Sequence, residues 1–224
     1  MIRVALLLLL FLGAAQAQAS PAADHLEAPE GLHRAAAAGD VESIERFRDA
    51  GADPHARDPL GRTPLHLAVS AGHREATLTL VRRGADPQAY DDQHTDALTI
   101  AAAKGDRDMV SLLLWLGADP AAVTGPDDRT ALIAAARGGH DDVVRELTAA
   151  GAPVNYVSGL GWTALMEAVI FGDAGARTVA TVQALLQAGA KAAFADWQGT
   201  TPLRLARQRG LEELAALLIA SGAN

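Results

Sequence analysis

The chain has no cysteine among its 224 residues, which excludes disulfides, thiolate metal sites and a lipid-modified cysteine anchor. Aromatic residues make up only 4% of it, so each one carries more information than usual. A basic stripe is missing too. With a net charge of −8, the sequence disfavours nucleic acid and anionic lipid as partners. The local group Arg204, Arg207 and Arg209 reads as a polar cover over the last helices. No H-E-x-x-H, G-x-S-x-G, phosphate-cradling glycine loop or calcium loop is present. Of the seven histidines, His66, His73 and His140 recur at equivalent places instead of converging, which gives them a structural reading. His25, His33, His55 and His94 are scattered among loops or capping positions. No nucleophile, base or metal cage emerges, so neither catalysis nor a cofactor is expected, and function must come from a surface.

One long apolar run exists, and it is short for a membrane. Met1-Ile2-Arg3 precedes unbroken Val4 to Leu12, and Ala15-Gln16-Ala17 or Ala17-Gln18-Ala19 offers a small-residue cleavage site. A spanning helix needs roughly 20 apolar residues. Residues 1–19 are therefore expected to be a cleaved signal peptide, with a retained anchor as the alternative, and 20–30 a short linker. The expected location is the periplasm or outside the cell, with no stable membrane insertion once the leader is removed. The Ala-, Arg- and Gly-heavy composition favours a bacterial source for this arrangement.

What the rest does contain is periodicity. A Gly-Ala pair closes a helical stretch at Gly51, Gly84, Gly117, Gly151, Gly189 and Gly222, four times at an interval of 33 or 34 residues and once at 38. Thr63-Pro64-Leu65, Asp96-Ala97-Leu98, Thr130-Ala131-Leu132, Thr163-Ala164-Leu165 and Thr201-Pro202-Leu203 keep the same phase. A fixed period near 33 implies stacked supersecondary units that bury a core only against their neighbours. Within one unit, Thr63 is a candidate N-cap and Pro64 a first helical residue. The helix should run to about Ala71, and a second from about Arg74 to Arg83, stopping at Gly84. Small residues such as Ala68, Ala101, Ala134, Ala135, Ala168 and Ala206 would let the first helices approach closely.

The segment D-P-L-G-R-T-P-L-H-L-A-V-S-A-G-H from Asp58, with G-A-D-P-Q-A after its second helix, resembles a nearly consensus ankyrin repeat. The resemblance implies an all-α solenoid of about six helix-turn-helix repeats joined by finger turns. Its boundaries fall at about 31–57, 58–90, 91–123, 124–157, 158–195 and 196–224. Repeat three departs with Asp96-Ala97-Leu98-Thr99, repeat four has Asp128 where the finger glycine belongs, and repeat five has Met166 for the histidine. The 38-residue interval puts five extra residues between the helices of repeat five, around Asp173 to Val179. They are expected to form a loop, which either borders a binding face or folds back over Ile170 and Phe171 as local core.

The same resemblance implies a non-catalytic interaction module, a monomer holding another protein on its concave face of finger tips and first-helix ends. Carried across, those positions are mostly polar or small in repeats two to four, with Pro59 and Leu60 of repeat two among them. They include Arg62, Ser70 and Ala71, then Thr95 and Lys104, then Arg129, Arg137 and Gly138. In repeats five and six they become Leu160, Trp162, Ile170, Phe171 and Trp197, the expected partner-binding residues. Two roles in the envelope fit such a module, protection of an envelope enzyme, as in stress defence, or immunity against a toxin acting there.

Overall fold

The computed structural model describes residues 28–223. The expected leader at 1–19 lies outside them. Among the described residues twelve helices alternate between two layers. The inner layer is α1 (Ala28–Ala38), α3 (Pro64–Ala71), α5 (Ala97–Lys104), α7 (Ala131–Arg137), α9 (Ala164–Phe171) and α11 (Pro202–Gln208). The outer layer is α2 (Val41–Asp49), α4 (Arg74–Arg82), α6 (Arg107–Trp115), α8 (Asp141–Ala149), α10 (Ala176–Gln187) and α12 (Glu212–Ala220). Each helix packs on its partner within the repeat and on its counterpart in the adjacent repeat. α1 begins at Ala28, ahead of the expected start at Gly31, with Pro29 and Glu30 in its first turn. Proline gives up no intrahelical hydrogen bond there, and an acid opposes the positive helix end.

The core repeats in columns. Leu65, Leu98, Leu132, Leu165 and Leu203 of the inner helices are buried, as are Leu80, Leu113, Leu147, Leu185 and Leu218 of the outer ones. Each such leucine contributes about 1.5–3 kcal/mol of burial. Ala68, Ala101, Ala135, Ala168 and Ala206 line the seam where inner helices meet, and they too are sealed from solvent. Ala134 departs from the expectation. It is only half-buried and faces outward from α7.

Side chains also tie each repeat to the next. His66 accepts from the Thr63 amide through Nδ1 at 3.1 Å and donates from Nε2 to the Thr95 carbonyl of the next finger at 3.0 Å. Burial holds this ring below the usual imidazole range, in the neutral form those bonds require. His33, expected among scattered positions, proves to be buried on α1 and donates to the Arg62 carbonyl at 2.9 Å. It is the counterpart of His66. His73 and His140 likewise donate to the Ala37 and Ala103 carbonyls of the preceding repeats.

Two irregularities interrupt the period, one residue added in the fourth finger and five in repeat five. The additional residue in the fourth finger closes a short antiparallel ladder, β1 (Val123–Thr124) with β2 (Arg129–Thr130), and places Asp128 at φ +49° in its turn. The extra residues of repeat five do not make a flap. Three of them lengthen α10 to 12 residues against nine in α8, and the other two extend the turn before it, in which the Asp173 carboxylate accepts from the Gly175 amide and the Thr178 hydroxyl. Gly172 consequently ends α9 with an extended backbone instead of the left-handed turn seen at Gly72.

Candidate functional site

The fingers and the ends of the inner helices share one face, and the expected residues stand on it unequally. Trp162 immediately precedes Thr163, the N-cap of α9, in a finger closed by the Ser158 amide donating to the Trp162 carbonyl at 2.9 Å. Phe171 is the last residue of α9. The finger before the helix and the helix end therefore converge, and the two rings meet edge to face at 6.3 Å with an interplanar angle of 64°. Phe171 remains 44% exposed and Leu160, at the finger tip, 38%. Trp162 and Ile170 are half-buried. Trp197 belongs to the next finger and lies flat against the backbone of Gly161, where an added Cβ would stand 2.9 Å from its ring. It is 75% exposed and borders the pair as a neighbour.

Sequence reading missed what lies beneath these rings. The Arg137 guanidinium sits 3.6 Å from the centroid of the Phe171 ring, so the preceding repeat supplies one face of the aromatic cluster. Arg137 is held there by Glu167, with Nη1 at 3.4 Å from Oε2, while Arg129 Nε approaches Oε1 at 3.6 Å. Glu167 is fully buried, and its Oε1 and the Arg129 Nε have no hydrogen-bond partner. Burial pushes the Glu167 carboxyl above the usual glutamate range, against the pull of Arg129 and Arg137. Arg129 also donates to Asp127 at 2.7 Å. The signal was available: Glu167 holds the place filled by Leu67, Ile100, Ala134 and Leu205 in repeats two, three, four and six, a charge in a column otherwise apolar across those repeats.

Beside this cluster a cavity of about 490 Å³ opens between repeats three and four. Thr99 and Ala103 of α5, Ala134 and Arg137 of α7, Gly138 just after it, and the fourth finger with Asp127 and Arg129 line it. A second aromatic stands apart from all of this. Trp115 ends α6 in the outer layer and is 69% exposed, so the aromatic residues do not gather wholly in repeats five and six. Among the described residues no cluster of His, Asp or Glu could hold a metal ion, and no helix is long and apolar enough to cross a membrane.

Comparison with known proteins agrees with this architecture. The family described as "Ankyrin repeats (3 copies)" matches residues 32–124 and again 121–190. Over 82 residues, 36% of the chain, the sequence is 49% identical to the ankyrin repeat protein YahD of Escherichia coli K12, and that stretch spans 41% of YahD. The fold is similar to the crystal structure of an ankyrin repeat domain from Acinetobacter baumannii AYE, with a TM-score of 0.81 at 40% identity, covering 86% of this chain and 98% of that one. It is also similar to the ankyrin repeat domain of Bcl-3, a member of the IkappaB protein family, with a TM-score of 0.78 at 30% identity, covering 87% and 86%.

Proposed function

Because the chain belongs to the ankyrin-repeat family, and is thereby a protein–protein interaction module, we propose that it is exported and captures one partner protein on the finger-bearing face of repeats four to six. The observation that carries this reading is the Trp162–Phe171 pair. Two large rings meet edge to face at 6.3 Å and stay partly open to solvent. The equivalent places in repeat two are Arg62 and Ala71. Core packing does not demand rings at these positions, whereas half-exposed aromatics set in a polar surround are favoured binding anchors. Leu160 and Ile170 extend the apolar area, and Trp197 borders it on the next finger.

In this reading the protein has no catalytic activity of its own and acts as a monomer in the periplasm or outside the cell. The leader at 1–19 supports the compartment, and intact-mass analysis of the exported protein tests it. A mature chain beginning near Gln18 or Ser20 is expected; a mass retaining Met1 to Ala17 overturns the cleavage. The interaction itself is tested by affinity capture from envelope extract with the wild type and with Trp162→Ala. A specific partner should be retained by the first and lost by the second. Equal capture by both places the binding surface elsewhere.

A further inference from the structure

A buried charge stands behind the exposed ring pair. The Glu167 side chain is sealed from solvent on α9, a helix whose other residues are all apolar. Its Oε2 accepts from Arg137 Nη1 at 3.4 Å, and its Oε1 lies 3.6 Å from Arg129 Nε with no hydrogen-bond partner. Arg137 in turn places its guanidinium 3.6 Å from the centroid of the Phe171 ring, and Phe171 meets Trp162 edge to face. A line of contact thus runs from a sealed carboxylate, through one arginine, to the rings. The two arginines are held differently. Arg129 also donates to Asp127 at 2.7 Å, so it has a second anion. Arg137 has Glu167 as its ion-pair partner, and 41% of its side chain is open to water. Once that charge is gone, hydration and regained rotamer freedom oppose a cation–π stack that is weak at a wet site.

We propose that Glu167 is the acid-sensitive brace of this aromatic platform: ionised, it holds Arg137 against the face of Phe171; protonated, it lets the guanidinium go and uncovers that face. Asp127 keeps Arg129 in place in both states. The charged groups on the surrounding elements make the response local. α7 brings Arg137, the fourth finger brings Arg129, Asp127 and the exposed Asp128, and α9 carries no other charge. Arg177 of α10 donates to His140 Nδ1. Arg204 and Arg207 of α11 are exposed, and Arg209 just after it is bonded to the Val169 and Gly172 carbonyls. Burial raises the Glu167 carboxyl above the usual glutamate range, so the brace opens at milder acidity than an exposed glutamate requires. A partner seated on Trp162 and Phe171 therefore binds at neutral pH and loosens in acid. This regulation rests on the reading that the ring pair is the binding face.

The test needs no partner. In the full-length chain carrying Trp115→Phe and Trp197→Phe, Trp162 is the one tryptophan left of three, and its emission is followed as pH falls from neutral to the ordinary glutamate value of 4.5. The emission should shift in a single step with its midpoint above that value, while far-UV circular dichroism stays constant. The step should vanish in Glu167→Gln and in Glu167→Leu, which restores the residue type of Leu67 and Leu205. It should vanish equally in Arg137→Gln, a change at a partly exposed side chain that carries the test even if the Glu167 variants do not fold. A step that survives in any of these variants, a flat emission in the parent, or a dichroism signal that falls together with the emission overturns the brace. A flat emission leaves the binding face standing, because that face answers to capture with Trp162→Ala. Equal capture by wild type and Trp162→Ala overturns the face and leaves the titration of the brace as it is.

Discussion

Replacing Phe171 by alanine separates an anchor from a core residue, because the contacts of this ring bound the cost in advance. Its edge-to-face meeting with Trp162 contributes about 0.5–1.5 kcal/mol. The Arg137 stack, partly open to water, adds about 0.5–1 kcal/mol. With 44% of the residue exposed, burial supplies roughly half of what a fully buried phenylalanine gains, about 1 kcal/mol. The terms overlap, so a loss of about 2–3 kcal/mol is expected in urea unfolding, or roughly 5–10 °C in Tm for a chain of this size. Binding to the partner should weaken by about 2 kcal/mol or more, close to thirtyfold. A cycle with Arg137→Ala should return a coupling of about 0.5–1 kcal/mol in stability. If Phe171→Ala lowers Tm by more than about 15 °C and leaves affinity intact, the ring belongs to the core and the assignment of this face is refuted.

Three further outcomes follow from the same structure. Leu113→Ala, at a fully buried outer-helix position, should cost about 2–5 kcal/mol, and an unchanged urea midpoint would mean that the column of leucines is misplaced. Gly161 has φ +81° and the Trp197 ring over it, so Gly161→Ala should cost about 1 kcal/mol in stability and shift Trp197 fluorescence; an unaltered spectrum would contradict that stacking. For Glu167 the folded carboxyl binds its proton more tightly than the unfolded one, so the stability it contributes is present below the ordinary glutamate value and is lost as pH rises through the folded value. The advantage of the wild type over Glu167→Gln should therefore shrink as pH rises above the ordinary glutamate value of 4.5, and an advantage that grows with rising pH would reverse the assigned sign.

The repeat phase was legible because each unit solves the same packing problem with the same residues. Thr63 and Pro64 open α3, and the expected end at Ala71 is where the helix stops. Local chemistry decides such boundaries, and sequence displays local chemistry. Contacts across about thirty residues are another matter. That Arg137 covers Phe171 depends on the stacking distance of two repeats and on a buried acid between them, and neither shows in spacing. The extra residues of repeat five were visible as a count, but whether they form a loop or a helical turn depends on how α10 packs on α8. Trp115 was overlooked although its place is held by Arg82, Ala149 and Gln187 in other repeats, which marks it as outward-facing.

The end of α9 behaves as a latch. In repeat two the His73 amide closes on the Ala68 carbonyl at 2.9 Å, and Lys104 of the next repeat donates to the Ser70 carbonyl. In repeat five the Gly172 amide donates to the Ala168 carbonyl at 3.0 Å, and Arg209 of the next repeat donates to the carbonyls of Val169 and, at 2.8 Å, Gly172. A long, solvent-facing guanidinium can release without any other part of the fold letting go. Brief release there would loosen the carboxyl end of the helix that displays Phe171. Amides of the turn from Gly172 to Gly175 should accordingly exchange with solvent faster than those after α3, and occupancy of the platform should slow them.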